Sequence, residues 1–213
     1  AGNQYKVWDW FAELKCCERF AGRNFEIKNL KDESSGGEQM VDIALQGPAS
    51  DAILKKVLKG ELFEEVSKLK SFTFCNAWFG DTELIVSRTG YTGSKCGYEL
   101  LVHPEAVLAV WEKLMDVGVE DGLKACGLGS RDSLRIEAGL PLYGHELAGD
   151  FEISPIEAGY RWAVKFESGD FVGKEALWKG LDNVNMDVMR LKLDGRKGVR
   201  PVRFGDAVIS AEA

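Results

Sequence analysis

The chain has 213 residues, of which 45% are hydrophobic and 29% charged, with a net charge of −7 and a pI near 5.1. That length can bury a sizeable core, and the balance is that of a soluble globular protein without repeats or low-complexity tracts. A net acidic chain argues against a nucleic-acid binder, which needs a basic patch to neutralise phosphates, although Lys55-Lys56 and residues 196–203 are locally basic.

Five cysteines (Cys16, Cys17, Cys75, Cys96, Cys126) and two histidines (His103, His145) show no paired metal-ligand spacing. Neither a metal site nor a disulfide framework is expected, and reduced thiols suit a cytosolic or organelle-matrix setting. No apolar run reaches the ~20 residues that span a bilayer, and no basic segment followed by an apolar one opens the chain. The chain starts at Ala1 without Met and stops at Ala213 after a strand-like run, which reads as an excerpt of a longer protein or a processed chain.

Along the chain, residues 4–20 carry Val7, Trp8, Trp10, Phe11, Leu14 and Phe20 on one side of a helical pattern, so Trp8 and Trp10 are expected in a core. Residues 24–30 alternate as a strand, 31–38 form a polar turn, and 40–45 form a second strand. Gly47-Pro48 opens a helix to about Leu58, and a shorter helix covers 62–69. Residues 72–79 and 82–88, joined by Gly80-Asp81, are the clearest hairpin. A glycine-rich loop then leads to a strand at 98–102, and Pro104 opens a helix that Gly118 closes.

The next helix has Ser130 as its expected N-cap, Asp132 in the first turn, and Gly139 then Pro141 as stop signals. Leu128, Leu134 and Ile136 would face a core. Arg131 and Arg135, four apart, would share the other side with Asp132 and Glu137 as local partners. Beyond residue 150 the pattern predicts strands at 161–166 and 186–193 around a helix at 173–181. Antiparallel strands with interspersed helices define an α+β fold, mainly antiparallel sheet flanked by helices. Close-set Gly195, Gly198, Pro201 and Gly205 suggest a small β-rich unit over 184–213, after a first domain at 1–183.

The glycine-rich loop, Arg88-Thr-Gly-Tyr-Thr-Gly93 followed by Gly97-Tyr-Glu99, lets backbone approach a ligand closely, but no Gly-Lys-Ser/Thr follows, so it is no phosphate cradle. On residues alone, Glu99 reads as an exposed strand carboxylate and Tyr91 as loop packing. His145 reads as a solvated or locally bonded histidine or an acid–base group, and Cys96 beside Lys95 as a thiol that could be activated.

With Leu45-Gln-Gly-Pro-Ala49, the helix sequence 127–147 and Ile153-Ser-Pro-Ile-Glu-Ala-Gly159, this loop resembles the aminomethyltransferase family. These are the T-proteins of the glycine cleavage system and their folate-binding relatives, and the motifs fall in the family's order over nearly the whole chain. The resemblance implies a folate-binding T-protein-type domain and the start of a β-barrel-like C-terminal domain. It also implies a fragment that lacks the N-terminal segment and the end of the C-terminal domain.

The implied cofactor is tetrahydrofolate. By motif, Tyr91 falls at the folate pocket, Glu99 on the pterin edge, and Arg131 on the pterin face or the glutamate tail. A carboxylate can accept the adjacent N–H and amino groups of a pterin together, and a guanidinium suits a ring face or a carboxylate. Arg135 receives no such role and is left structural. The family's catalytic aspartate belongs to a preceding segment, so no catalytic residue is named.

The implied reaction takes an aminomethyl group from a lipoyl-carrier H-protein, releases ammonia and leaves methylene on folate. It asks the protein mainly for positioning and exclusion of water. Partners are then the H-protein and folate, with no nucleic acid or membrane, in the cytoplasm or, in a eukaryote, the mitochondrial matrix. Ser94-Lys95-Cys96 replaces the family's shorter acidic Glu-Asp, which leaves the substrate open. The alternatives are a folate-dependent O-, S- or N-demethylase and a non-catalytic folate-binding regulatory module. The Lys-Gly-Cys-Tyr-x-Gly-Gln-Glu motif of the iron–sulfur-repair branch is absent.

Overall fold

A computed structural model describes residues 3–58, 60–147, 151–192, 202 and 205–207. Its centre is a four-stranded antiparallel sheet of β1 (Val41–Gln46), β2 (Phe74–Phe79), β3 (Thr82–Ser87) and β4 (Gly97–Val102), in the order β1-β4-β3-β2. The hairpin forms where expected, and Gly80 takes the positive φ (+60°) of its tight turn. Successive side chains leave a strand on opposite faces. Ile43, Leu45, Ala77, Leu84, Val86, Tyr98, Leu100 and Val102 therefore share one face, and all are buried.

Helices cover that face. They are α2 (Ser50–Val57), α3 (Glu61–Ser67) and α4 (Pro104–Gly118), which contribute Ile53, Leu54, Val66, Val110 and Leu114 to the same core. Each such side chain removed from water is worth about 1.5–3 kcal/mol. Pro104 starts α4, and His103 caps it by accepting the Glu105 N–H at 3.3 Å. The class is α+β, as the order of elements predicts.

Other expectations fail at the margins. Helix α1 (Gln4–Cys16) ends in a turn at Glu18–Phe20 and buries no residue; Trp8 is half-buried and Trp10 exposed, so neither belongs to the core. The helix lies over residues 27–31 and makes only a shallow groove of about 530 Å³ with them. Residues 24–30 form no ladder; one bond, Met40 N–H to Leu30 C=O at 2.7 Å, joins them to the residue just before β1. Residues 161–163 form a tight turn rather than a strand, and 186–192 pair with no strand among the described residues. Alternating apolar residues make a strand only where another edge pairs with them. Helix α6 (Lys174–Gly180) forms as expected. The expected unit over 184–213 lies largely outside the described residues.

The Tyr98 hydroxyl is a polar group set at the edge of this core. The Tyr98 side chain, 0% exposed, donates its hydroxyl to Asp51 Oδ1 at 2.5 Å and accepts from Arg88 Nη1 at 2.7 Å. Burial and the Asp51 carboxylate together hold the phenol far above its ordinary pKa. Replacing Tyr98 with Phe should cost about 1–3 kcal/mol, because Asp51 and Arg88 each lose a partner. A chemical-denaturation midpoint equal to that of the unmodified chain would contradict this.

Candidate functional site

The uncovered face of the sheet carries the other half of each alternation. Glu99 of β4 lies between Ala44 of β1 and Ser87 of β3, so its carboxylate is flanked by two small side chains. The Thr89 hydroxyl donates to Glu99 Oε2, and Ser87 Oγ lies 2.9 Å from Thr89 Oγ1. Diagonally across the same face stands Asp42. Lost hydration and the neighbouring Glu99 charge raise the Asp42 pKa, against the pull of Lys31 and Arg131.

The loop 88–97 carries Tyr91 from this face toward α5 (Leu128–Ala138). At Gly93, φ is +76°, and a Cβ there would fall 2.3 Å from Ala138 Cβ. Only glycine lets the loop lie against the end of α5. The Tyr91 hydroxyl donates to the Pro141 carbonyl, and the Arg131 guanidinium sits 5.7 Å from the Tyr91 ring centroid. Burial pushes the Tyr91 phenol up despite the nearby Arg135 and Arg131 charges. With its hydroxyl engaged, Tyr91 presents a ring, one face of it under a cation.

Helix α5 departs from its expected layout. It starts at Leu128 with Gly127 as N-cap, three residues before the expected N-cap Ser130, and Gly139 closes it at φ +69°. Leu128, Leu134 and Ile136 do not face the core; Leu128 is 81% exposed, whereas Arg135 is only 4% exposed. The left-handed Gly139 turns the chain back so that residues 140–147 fold over the last turn of the helix. Arg135 is the centre of that turn. Its Nε donates to Asp132 Oδ1 at 2.8 Å and its Nη1 to Glu146 Oε2 at 2.8 Å and to the Leu140 carbonyl at 3.3 Å. Glu146 also accepts the Leu142 N–H at 2.9 Å. Burial pushes the Glu146 carboxyl up, but the Leu142 N–H and Arg135 outweigh it and hold the group below its usual range.

The motif at 153–159 closes in a reciprocal cap. The Ser154 N–H donates to Glu157 Oε2 at 2.9 Å and the Glu157 N–H to Ser154 Oγ at 3.3 Å.

The structure thus puts Tyr91 and Arg131 in contact. Glu99 touches neither directly among the described residues, and Asp42 stands on the same sheet face as Glu99, within reach of the charges of both Glu99 and Arg131. Four participants carry no functional signal of their own in the sequence: Asp42, Glu146, Thr89 and Gln46. Thr89 and Gln46 were quoted within motifs, but nothing about their spacing marked them. Glu146 sits beside His145, which drew the attention and is exposed. The Cys96 thiol is raised by burial, against a partial offset from an Asp51 hydrogen bond, so it is not an activated nucleophile. Among the described residues no group of His, Cys, Asp or Glu could hold a metal ion, and no helix is long and apolar enough to cross a membrane.

The sequence matches the GCVT N-terminal domain family over residues 1–168. It is 43% identical over 172 residues to an aminomethyltransferase of Chlorobium limicola, covering 81% of this chain and 45% of that protein. It is 46% identical over 180 residues to an aminomethyltransferase of a Thermoanaerobacter species, covering 84% and 44%. Among solved structures, glycine cleavage system aminomethyltransferase T from Bartonella henselae superposes with a TM-score of 0.62 at 32% identity, covering 86% of this chain and 44% of that one. The chain spans somewhat less than half the length of these relatives.

Replacing Arg135 with Met should destabilise the chain by about 2–3 kcal/mol, less than for a fully enclosed pair because Asp132 and Glu146 keep some water. Because the folded Glu146 pKa is depressed, its contribution is present above the ordinary glutamate value and fades as pH falls through the folded one. Urea midpoints taken from neutral pH down through roughly pH 5 to 3 should therefore fall less steeply in Arg135→Met than in the parent. Equal acid slopes would show that the pair does not set them.

Proposed function

Since the chain belongs to the GCVT N-terminal domain family, we propose that it supplies the folate-facing part of an aminomethyltransferase of the glycine cleavage system. The observation that carries this reading is Glu99. It stands on the uncovered sheet face between two small residues, with one carboxylate oxygen oriented by Thr89. A carboxylate has about four lone-pair sites, so acceptors remain for the paired N–H groups of a pterin edge.

Arg131 fits the same ligand. Among the described residues no carboxylate lies within ion-pair distance of it, which leaves its N–H groups available to a ring carbonyl or a glutamate tail. Tyr91 adds an aromatic wall and, through Pro141, ties the loop to the turn that Arg135 braces. When bound, tetrahydrofolate would supply the nitrogens that accept the one-carbon unit. The residues of this chain would hold and orient it, and a lipoyl-carrier H-protein would deliver the aminomethyl group, with ammonia released. The names of the relatives favour this donor over the methylated donors of a demethylase. A cytoplasmic or mitochondrial-matrix setting, and a second β-rich unit beginning near residue 184, belong to the same proposal.

Calorimetric titration of tetrahydrofolate into the full chain tests it. Glu99→Ala and Arg131→Ala should each weaken binding by about 1–3 kcal/mol, the range for a lost charged hydrogen bond. Unchanged affinity in both variants would remove the site from this face. Turnover with methylated donors and none with a lipoyl carrier would select the demethylase.

A further inference from the structure

Gln46 ends β1 on the uncovered face, and its carboxamide meets the glycine-rich loop at every polar atom. Its Nε2 donates to the Thr89 carbonyl and to the Tyr98 carbonyl, each at 3.1 Å, and its Oε1 accepts from the Thr92 hydroxyl at 3.0 Å. Both amide hydrogens and the oxygen are thereby used. The partners bracket the ligand groups: Thr89 orients Glu99, Thr92 follows Tyr91, and Tyr98 precedes Glu99.

Two glycines are shaped to this side chain. A Cβ at Gly90 would fall 1.9 Å from Gln46 Oε1, and one at Gly97 would fall 2.6 Å from it. Neither needs a positive φ, so the close approach of the amide, not backbone conformation, calls for glycine at both places. The loop closes around one carboxamide.

We infer that Gln46 is a positioning residue: through its three hydrogen bonds it sets the spacing between Tyr91 and Glu99 and so the fit of the pterin, without touching the ligand. This inference rests on the folate reading above. Its chemistry is specific to an amide. A glutamate of nearly the same shape would place an anionic oxygen against two carbonyl oxygens, and an apolar residue would take the side-chain donor from both.

The test uses the full chain with Gln46→Glu, Gln46→Ala and, should these fail to fold, the milder Thr92→Val, which removes one of the three Gln46 bonds and the long 3.5 Å contact from the Ser94 N–H. Hydrogen exchange over residues 88–98 is read first and does not involve folate. Exchange there should quicken roughly tenfold in the Gln46 variants, and less in Thr92→Val, with the core of the sheet unchanged. Tetrahydrofolate affinity of the folded variants is read second and should fall roughly tenfold, a change that a purely stabilising residue would not cause. Adding Gln46→Ala to Glu99→Ala should cost less than the two changes summed, since one acts through the other. Gly90→Ala should reproduce the Gln46 loss by displacing the amide. Unaltered exchange in the loop, or unaltered affinity in both Gln46→Glu and Gln46→Ala, overturns the inference. A parent chain that binds no folate overturns the folate reading instead, and the exchange result still decides whether Gln46 holds the loop.

Discussion

A sheet with helices on only one side divides its residues by parity, and the rest of this molecule depends on that division. In β4 the even positions Tyr98, Leu100 and Val102 are sealed under α2 and α4, while the odd positions Glu99 and Leu101 stay on the other side. A slip of one residue between β1 and β4 would bury a carboxylate and expose Tyr98, whose hydroxyl is tied to Asp51. Burying an unanswered charge costs far more than any local gain from such a slip. The apolar face therefore determines where the acidic group stands. The candidate site is held in place by a core it does not touch.

What could be read from the sequence follows the range of each interaction. The hairpin, the two proline-opened helices and the β1 alternation depend on neighbours a few residues away, and all appear close to their expected bounds. The residue types of the loop and of Glu99 were equally visible, because a family motif carries identity without geometry. Helix α5 was misjudged because the rule for a helical face assumes that its neighbours are apolar. Here the neighbour is a returning turn with a glutamate eleven residues ahead of Arg135, and the arginine sinks toward it while Leu128 is left outside. Nothing within one helical turn announces that partner. The strand expected at 24–30 failed for a similar reason: alternation states which face a strand would bury, but not whether a second edge will be there.

The elements around the site are joined by side-chain bonds to backbone more than by apolar contact. Gln46 links β1 to the loop, Tyr91 links the loop to Pro141, and Arg135 with Glu146 holds the turn that carries Pro141. Such links are directional, so they fix relative position to a few tenths of an ångström while each adds little net stability. Two tyrosines in one loop-and-strand segment divide the work. Tyr98 spends its hydroxyl at the edge of the core, and Tyr91 spends its own on the rim, leaving its ring toward Arg131.

The turn at Ser94-Lys95-Cys96 is bonded both to itself and to its neighbours, and its Ser94 N–H reaches back to Thr92 Oγ1 at 3.5 Å. The Ser94 hydroxyl donates to the Cys96 carbonyl at 2.7 Å and accepts the Cys96 N–H at 3.3 Å, while the Gly47 N–H returns to the same carbonyl at 3.0 Å. The bonds to Gln46 that flank Tyr91 and Glu99 lie at Thr89, Thr92 and Tyr98, and Thr92 also meets the turn. The three residues are therefore coupled to the rest of the loop. A change in their number or charge would therefore reach Gln46 through one hydroxyl, which accepts from Ser94 on one side and donates to the carboxamide on the other.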